Sequence, residues 1–422
     1  MRLLIRLLCA FFAISSVVFL SACGGGGTAP TASSSAPQAT FNQIPVTVEQ
    51  FNPNNPYPNR PYVTVTVCDG AGNCQSIDHV LLDTGSTGLR LMPGVLDLQL
   101  PAQDNPTGGV AAECAQFGAG YFWGAQRLAT IRMAGDVATD ISITVAGDAS
   151  IPAVAPTGCT ATGPNVLTLP TEFKGILGIG QQQRDCGSFC AQSADGQLYF
   201  SCTGGASGSC TPSTMPLNQQ TANPVSMFAT DNNGTVLSFP AAAQPQATLT
   251  GTLTFGIGTQ ADNQISGQQV YRPVTDNVFW PSLGANIGGV ASFAFLDSGT
   301  NAYLIAQTGT PPVPSSPPYL QAISGLAVCG QPGGPFCPSV PANVQVRLNG
   351  LTGDPSSMQN ITLADPTMAF QQNQAVIPNL GFQNNFITSY AILGLPFFYG
   401  RSVMTAIDGM PTPYGMGPYW AF

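Results

Sequence analysis

The sequence predicts an all-β chain assembled from two halves of like design, on three observations. Breakers are abundant, with 48 glycines and 37 prolines among 422 residues, while only 7% of residues are charged. A chain punctuated that often builds short strands and turns rather than long helices. Between the breakers lie short runs rich in Val, Thr and Phe, some alternating apolar and polar residues as a half-buried strand does. Finally, two segments match: Leu81-Leu82-Asp83-Thr84-Gly85-Ser86-Thr87 and Phe295-Leu296-Asp297-Ser298-Gly299-Thr300-Asn301. Each is an apolar run followed by aspartate, a small hydroxyl residue, glycine and a second hydroxyl residue.

The chain opens with an export signal over 1–22: Arg2 and Arg6, an apolar stretch from Leu7 to Leu20, then small residues. The stretch is too short to demand a permanent membrane span. Leu20-Ser21-Ala22-Cys23 resembles the bacterial lipobox, in which the cysteine becomes the lipidated first residue, so Cys23 is the candidate lipidation (palmitate) site. By the same resemblance, Gly24 after the cysteine points to the outer membrane of the bacterial cell envelope, on either its periplasmic or its surface face. Residues 23–40 are dominated by Gly, Ser, Ala, Thr and Pro and read as a flexible tether.

Strands are expected at Ile44 to Val48, Tyr62 to Val67, Val80 to Leu82, Ile141 to Val145, Thr235 to Phe239, Thr250 to Phe255 and Phe293 to Leu296. Val63-Thr64-Val65-Thr66-Val67 has the alternation of a strand with one buried face; Val80-Leu81-Leu82 reads as buried on both. Of the 12 cysteines, Cys9 falls in the signal and Cys23 is the lipidation candidate, which leaves ten in an exported chain and predicts five disulfides. Cys68 and Cys74 bracket a hairpin tip, and Cys329 with Cys337 closes a Pro/Gly loop. Cys186, Cys190, Cys202 and Cys210 allow sequential or nested pairing, leaving Cys114 with Cys159 by elimination. No CxxC pair or histidine accompanies these cysteines, so no metal is expected. His79, the chain's one histidine, is expected at a polar strand edge.

The likeness of the halves extends beyond the aspartates. Ile176-Leu177-Gly178 ends 95 residues after Asp83, and Ile392-Leu393-Gly394 ends 97 after Asp297. A duplicated domain follows, with a first β lobe over 41–230 and a second over 231–422.

A carboxylate at the end of a buried apolar strand is costly unless hydrogen-bonded. Thr84, Gly85 and Ser86 supply hydroxyls and close-lying amides to Asp83; Ser298, Gly299 and Thr300 do so for Asp297. If the loops meet, both carboxylates cannot ionise together, and the pair shares a proton able to activate water.

These residues resemble the pepsin-like aspartic peptidases over most of 41–422. The family's two Asp-Thr/Ser-Gly loops match Asp83-Thr84-Gly85 and Asp297-Ser298-Gly299, and its paired apolar-apolar-Gly strands match the two Ile-Leu-Gly segments. Gly251 to Gly256 and Tyr271 to Val274 resemble the opening of its second lobe, and Ile392 to Asp408 its C-terminal stretch. With the lipobox, this suggests an uncharacterised bacterial lipoprotein branch. The resemblance implies a bilobal fold, two pseudo-twofold-related β lobes with a cleft between them, and an aspartic endopeptidase. Asp83 and Asp297 would be the catalytic pair, with Ser86 and Thr300 orienting their outer oxygens and Thr84 and Ser298 locking the loops. No cofactor is implied.

Two positions depart from the family pattern. Its flap carries tyrosine in a Tyr-Gly-x-Gly context; here the flap is Phe117-Gly118-Ala119-Gly120-Tyr121, with Phe117 in the tyrosine's place and Tyr121 as the nearest hydroxyl. The tryptophan that partners the flap tyrosine is Arg90, open to two readings, a solvated arginine or a contact to substrate. The aromatic run from Phe117 to Trp123 is likewise a flap or a core strand. The alternative to an enzyme is therefore an inactive pepsin-like fold, a lipid-anchored module binding a peptide or glycan.

Net charge is −9 and pI about 4.3, with no basic patch, which argues against nucleic acid. The expected partners are a peptide or protein substrate and, through the lipid, a membrane; the chain is expected to be a monomer.

Overall fold

The structure is a computed structural model that describes residues 41–52, 54, 56–161, 163–166, 173–274, 281–287, 290–305, 326–330, 332–384 and 390–422. The export signal, the tether and Cys23 lie outside the described residues.

Every strand expected from sequence is present. In the first half these are β1 (Gln43–Val48), β2 (Pro61–Cys68), β3 (Cys74–Asp83), β4 (Thr87–Leu91), β5 (Val110–Phe117), β6 (Gly120–Met133), β7 (Asp136–Val145) and β8 (Gly175–Ile179). The alternation in β2 sends Val63, Val65 and Val67 into the core and leaves Thr64 exposed. Val80, Leu81 and Leu82 are all buried, as their continuous apolar run requires. Filling such positions with Val or Leu contributes about 1.5–3 kcal/mol per side chain. The helices among the described residues are short, the longest being Gly187–Gln192, and none is long and apolar enough to cross a membrane.

Two sheets carry the architecture. A fifteen-stranded sheet holds β1–β8 and continues through Leu249–Phe255, which pairs antiparallel with β1, into Gly234–Ser238, Ser402–Ala406 and Tyr419–Ala421. A seven-stranded sheet is built from the second half, with Leu283–Ile287, Val290–Leu296 and Tyr390–Leu393 near its centre.

The same knot of strands recurs in both sheets. In the first, β3 runs into the Asp83 loop and pairs parallel with β8, while β4, leaving the loop, pairs antiparallel with β8. In the second, Val290–Leu296 runs into the Asp297 loop and pairs parallel with Tyr390–Leu393, against which Tyr303–Ile305 lies antiparallel. The glycine closing each Ile-Leu-Gly segment is needed because the loop passes directly over it. A Cβ on Gly178 would meet the Thr87 amide nitrogen at 2.5 Å, and one on Gly394 the Ala302 carbonyl at 2.3 Å. The equal spacing read in the sequence is thus the length of chain needed to return beneath each aspartate.

All ten cysteines among the described residues pair. Cys68–Cys74 and Cys329–Cys337 form as the spacing predicts, Cys114–Cys159 joins β5 to the turn of helix Thr157–Thr160, and the open choice resolves as sequential, Cys186–Cys190 and Cys202–Cys210. Cys329, Cys337 and Asp365 lie close enough together to suggest a metal site, but both sulfurs are consumed by the disulfide. His79 faces Glu49 and Asp78 at 3.2 Å each, part-exposed within β3 where its pairing with β2 bulges, rather than at a strand edge.

Candidate active site

The two aspartate loops meet tip to tip. Thr84 N–H donates to Ser298 Oγ at 3.0 Å, and Ser298 N–H donates to Thr84 Oγ1 at 2.9 Å. Ser298 Oγ in turn donates to the Leu82 carbonyl at 2.8 Å. Both hydroxyl residues are buried, so these bonds form away from competing water.

Above this lock stand the carboxylates, each held in the same way. Asp83 Oδ1 accepts from the Gly85 amide at 2.8 Å and Oδ2 from Ser86 Oγ at 2.5 Å. Asp297 Oδ1 accepts from the Gly299 amide at 2.8 Å and Oδ2 from Thr300 Oγ1 at 2.6 Å. The glycines permit the approach: a Cβ on Gly85 would lie 2.6 Å from Asp297 Cγ, and one on Gly299 would lie 2.7 Å from Asp83 Cγ. Desolvation in the cleft, then the Asp83 carboxylate, which also hydrogen-bonds it, raise Asp297 well above the usual carboxylate range.

Two further residues, which sequence reasoning missed, brace the second loop. Arg60 donates through Nη1 to the Gly299 carbonyl at 2.6 Å. Asn59, fully buried with φ of 55°, donates to the carbonyls of Asn301 (2.8 Å) and Ile377 (2.9 Å) and accepts from Tyr399 Oη. A buried asparagine in the left-handed region is a signal that only backbone geometry reveals.

A cleft of about 450 Å³ opens over the pair, with Phe117, Leu198, Phe295 and Trp420 among its apolar walls. The segment expected as a flap is the β5–β6 hairpin, in which Phe117 pairs with Gly120 across the turn. Gly120 has φ of 141°, and a Cβ there would strike the Pro164 carbonyl at 2.0 Å. Phe117 and Gly118 line the cleft. Tyr121, Phe122 and Trp123 are buried, so the aromatic run faces the cleft at its first residue and is core at its last. Tyr121 packs in a cluster with Cys114, Cys159 and Trp123, and is not among the residues lining the cleft.

Arg90 is not a solvated arginine: it is 2% exposed, in the wall of the cleft. It donates to the Thr87 carbonyl at 2.8 Å and to Glu113 Oε1 at 2.5 Å, lies 3.5 Å from Asp185 Oδ2, and places its guanidinium 5.5 Å from the centre of the Phe117 ring. Thr144 and Thr221 donate to Glu113 Oε2, and Tyr199 Oη donates to Asp185 Oδ1 at 2.6 Å. Glu113 and Asp185 are hydrogen-bonded to one another. Burial, then the Glu113 carboxylate, push Asp185 well above the usual range. Burial is the largest influence on Glu113 and works to raise it, but Arg90 and the hydrogen bonds from Asp185 and Thr144 together outweigh it and hold Glu113 low. The sequence carried one hint of this cluster, a glutamate inside the apolar Ala111-Ala112-Glu113-Cys114-Ala115 of a chain with few charges.

This fold is similar to the crystal structure of an aspartic proteinase from Irpex lacteus, with a TM-score of 0.52 and 15% identity over 90% of this chain and 96% of that one. The likeness shows a pepsin-like bilobal β fold. No curated protein matches the sequence. Residues 38–422 match the family described as "Protein of unknown function (DUF3443)", and the chain belongs to that family.

Proposed function

We propose that the protein is an aspartic endopeptidase that hydrolyses peptide bonds through a water held between Asp83 and Asp297. One observation carries the reading: two carboxyl groups in matched cradles face one another at the floor of an open cleft. The ionised member takes a proton from the water as it attacks, while the protonated member donates to the carbonyl oxygen. No acyl-enzyme forms. Ser86 and Thr300 fix the outer carboxylate oxygens so that the inner ones face the substrate. The apolar walls suit extended peptides with apolar side chains beside the cleaved bond. We further propose a monomer tethered through lipidated Cys23 to the bacterial cell envelope, most simply the outer membrane.

The changed flap pair, Phe117 and Arg90, favours the second reading, a binding module that retains the cleft without cutting. Cleavage of an unfolded protein from about pH 3 to pH 7, compared with Asp83→Asn and Asp297→Asn, separates the two. The peptidase reading expects activity at acid pH, because one carboxyl must stay protonated, and loss of at least about 100-fold in either variant. Folded wild-type protein that cuts nothing across that range would leave the binding module.

A further inference from the structure

The flap's two departures from the peptidase pattern have a common structural consequence. Arg90, on β4 just beyond the Asp83 loop, reaches the flap twice: through Glu113, low on its first strand β5, and beneath Phe117, at its tip. Asp185, on the segment following β8, closes the cluster from the other side. All three side chains are nine-tenths or more buried, at 3%, 0% and 10% exposure. Two ionised carboxylates against one guanidinium would leave a net negative charge buried in the cleft wall, which is expensive. One proton between Glu113 and Asp185 makes the cluster neutral.

We infer that this cluster is the seat of the flap, with Arg90 as its positioning residue, and that the seat is complete only while Glu113 and Asp185 share a proton. The flap is then held closed over the cleft by an ion cluster rather than by an aromatic hydroxyl pair. It is a second carboxyl pair in the same cleft, and it orders the flap in the acid range. The groups facing it are Arg90 from β4, Glu113 from β5, the Thr144 hydroxyl from β7, Arg184 and Asp185 from the segment after β8, Tyr199 from strand Tyr199–Thr203, and the Thr221 hydroxyl. Arg184 acts on Asp185 through space only, its own N–H groups donating to the Gln220 carbonyl at 3.0 Å and the Met227 sulfur, so Arg90 is the cation bonded to the pair.

This inference builds on the peptidase reading, but its test does not require cleavage. Hydrogen exchange followed by mass spectrometry, on the full folded protein, reads the flap directly. Arg90→Met combined with Glu113→Gln removes opposite charges together, and Asp185, left without its cation, stays neutral by keeping its proton. Amides of 113–121 are expected to exchange at least 10-fold faster in this variant, while those of β2 keep their rates. In wild type, 113–121 should lose protection, corrected for intrinsic rates, as pH rises from about 4 to about 8. Glu113→Gln alone should flatten that response, since Arg90 and Asp185 then balance without a proton. Unchanged flap exchange in the double variant, or an undiminished pH response in Glu113→Gln, overturns the inference. Should the double variant unfold, Phe117→Leu leaves the cluster intact and must quicken exchange at 116–120 alone; no change there is equally fatal. If exchange responds as expected but nothing is cut, the seat stands and only the peptidase reading falls. Where cleavage is found, the double variant should lower kcat/KM about 10-fold, and Arg90→Lys should recover part of the loss.

Discussion

Thr84 and Ser298, 214 positions apart, exchange hydrogen bonds in both directions, each hydroxyl receiving the other's backbone amide. The exchange joins the two loops at the one point where both strands run out, and each carboxylate stands on it. Removing one hydroxyl leaves a buried amide without its acceptor, at a cost of about 1–3 kcal/mol. Ser298→Ala also frees the Leu82 carbonyl and is expected at the upper end of that range. Thr84→Ser keeps the hydroxyl and should cost well under half as much. Urea unfolding midpoints measure both; a Ser298→Ala protein as stable as wild type would mean that the lock contributes nothing.

Gly85→Ala and Gly299→Ala test the close approach of the carboxylates. The added methyl would lie 2.6 or 2.7 Å from the opposite Asp Cγ, so a carboxylate must move by several tenths of an ångström. Displacements of that kind cost on the order of 100-fold in rate when they misplace a reacting group. Both glycines are half-buried rather than in the core, and Gly85 borders the cleft, so stability should change little. Loss of cleavage with the unfolding midpoint retained is the expected result, and full activity in either variant would place the chemistry elsewhere.

How much of this was legible in the sequence follows from range. The strand positions come from local alternation, and the two aspartate loops from short motifs repeated at nearly equal spacing, so both could be read directly. Tyr121 shows the limit: it sits four residues beyond Phe117, but the strand it occupies turns it into the cluster around Cys114. Arg90 could be identified as a departure, yet its partners Glu113 and Asp185 lie 23 and 95 residues away, on β5 and beyond β8. Nothing in local pattern announces a contact of that kind. Sequential pairing of Cys186 to Cys210 was one of the open choices, because spacing alone leaves several connectivities.

Asp136, at the β6–β7 turn, gives a stability dependence separate from the active pair. Burial, then the neighbouring Asp231 carboxylate, push it up to about 6. Its folded value lies above the ordinary 3.8, so the folded protein holds this proton more tightly than the unfolded chain does. The stability it contributes is complete below that ordinary value and is lost as pH rises through about 6. Asp136→Asn removes this part, and the stability difference between about pH 4 and about pH 7 should shrink by up to about 2 kcal/mol. Denaturant titrations at the two pH values give the answer directly; an unaltered difference would show that Asp136 does not retain its proton in the folded state.

The disulfides should differ in weight according to the chain they enclose. Cys114–Cys159 spans 45 residues and ties the flap's first strand to helix Thr157–Thr160, whereas Cys186–Cys190 spans 4. Closing the longer loop removes more freedom from the unfolded chain, about 4 kcal/mol against about 2 kcal/mol on loop-closure entropy alone. Paired replacement by alanine, Cys114→Ala with Cys159→Ala, should therefore lower stability more than Cys186→Ala with Cys190→Ala. The larger loss should come with quicker hydrogen exchange at the flap's base, because Cys114 lies next to Glu113. Equal losses from the two pairs would show that local packing around the sulfurs, rather than the length of chain closed, sets what each bridge contributes.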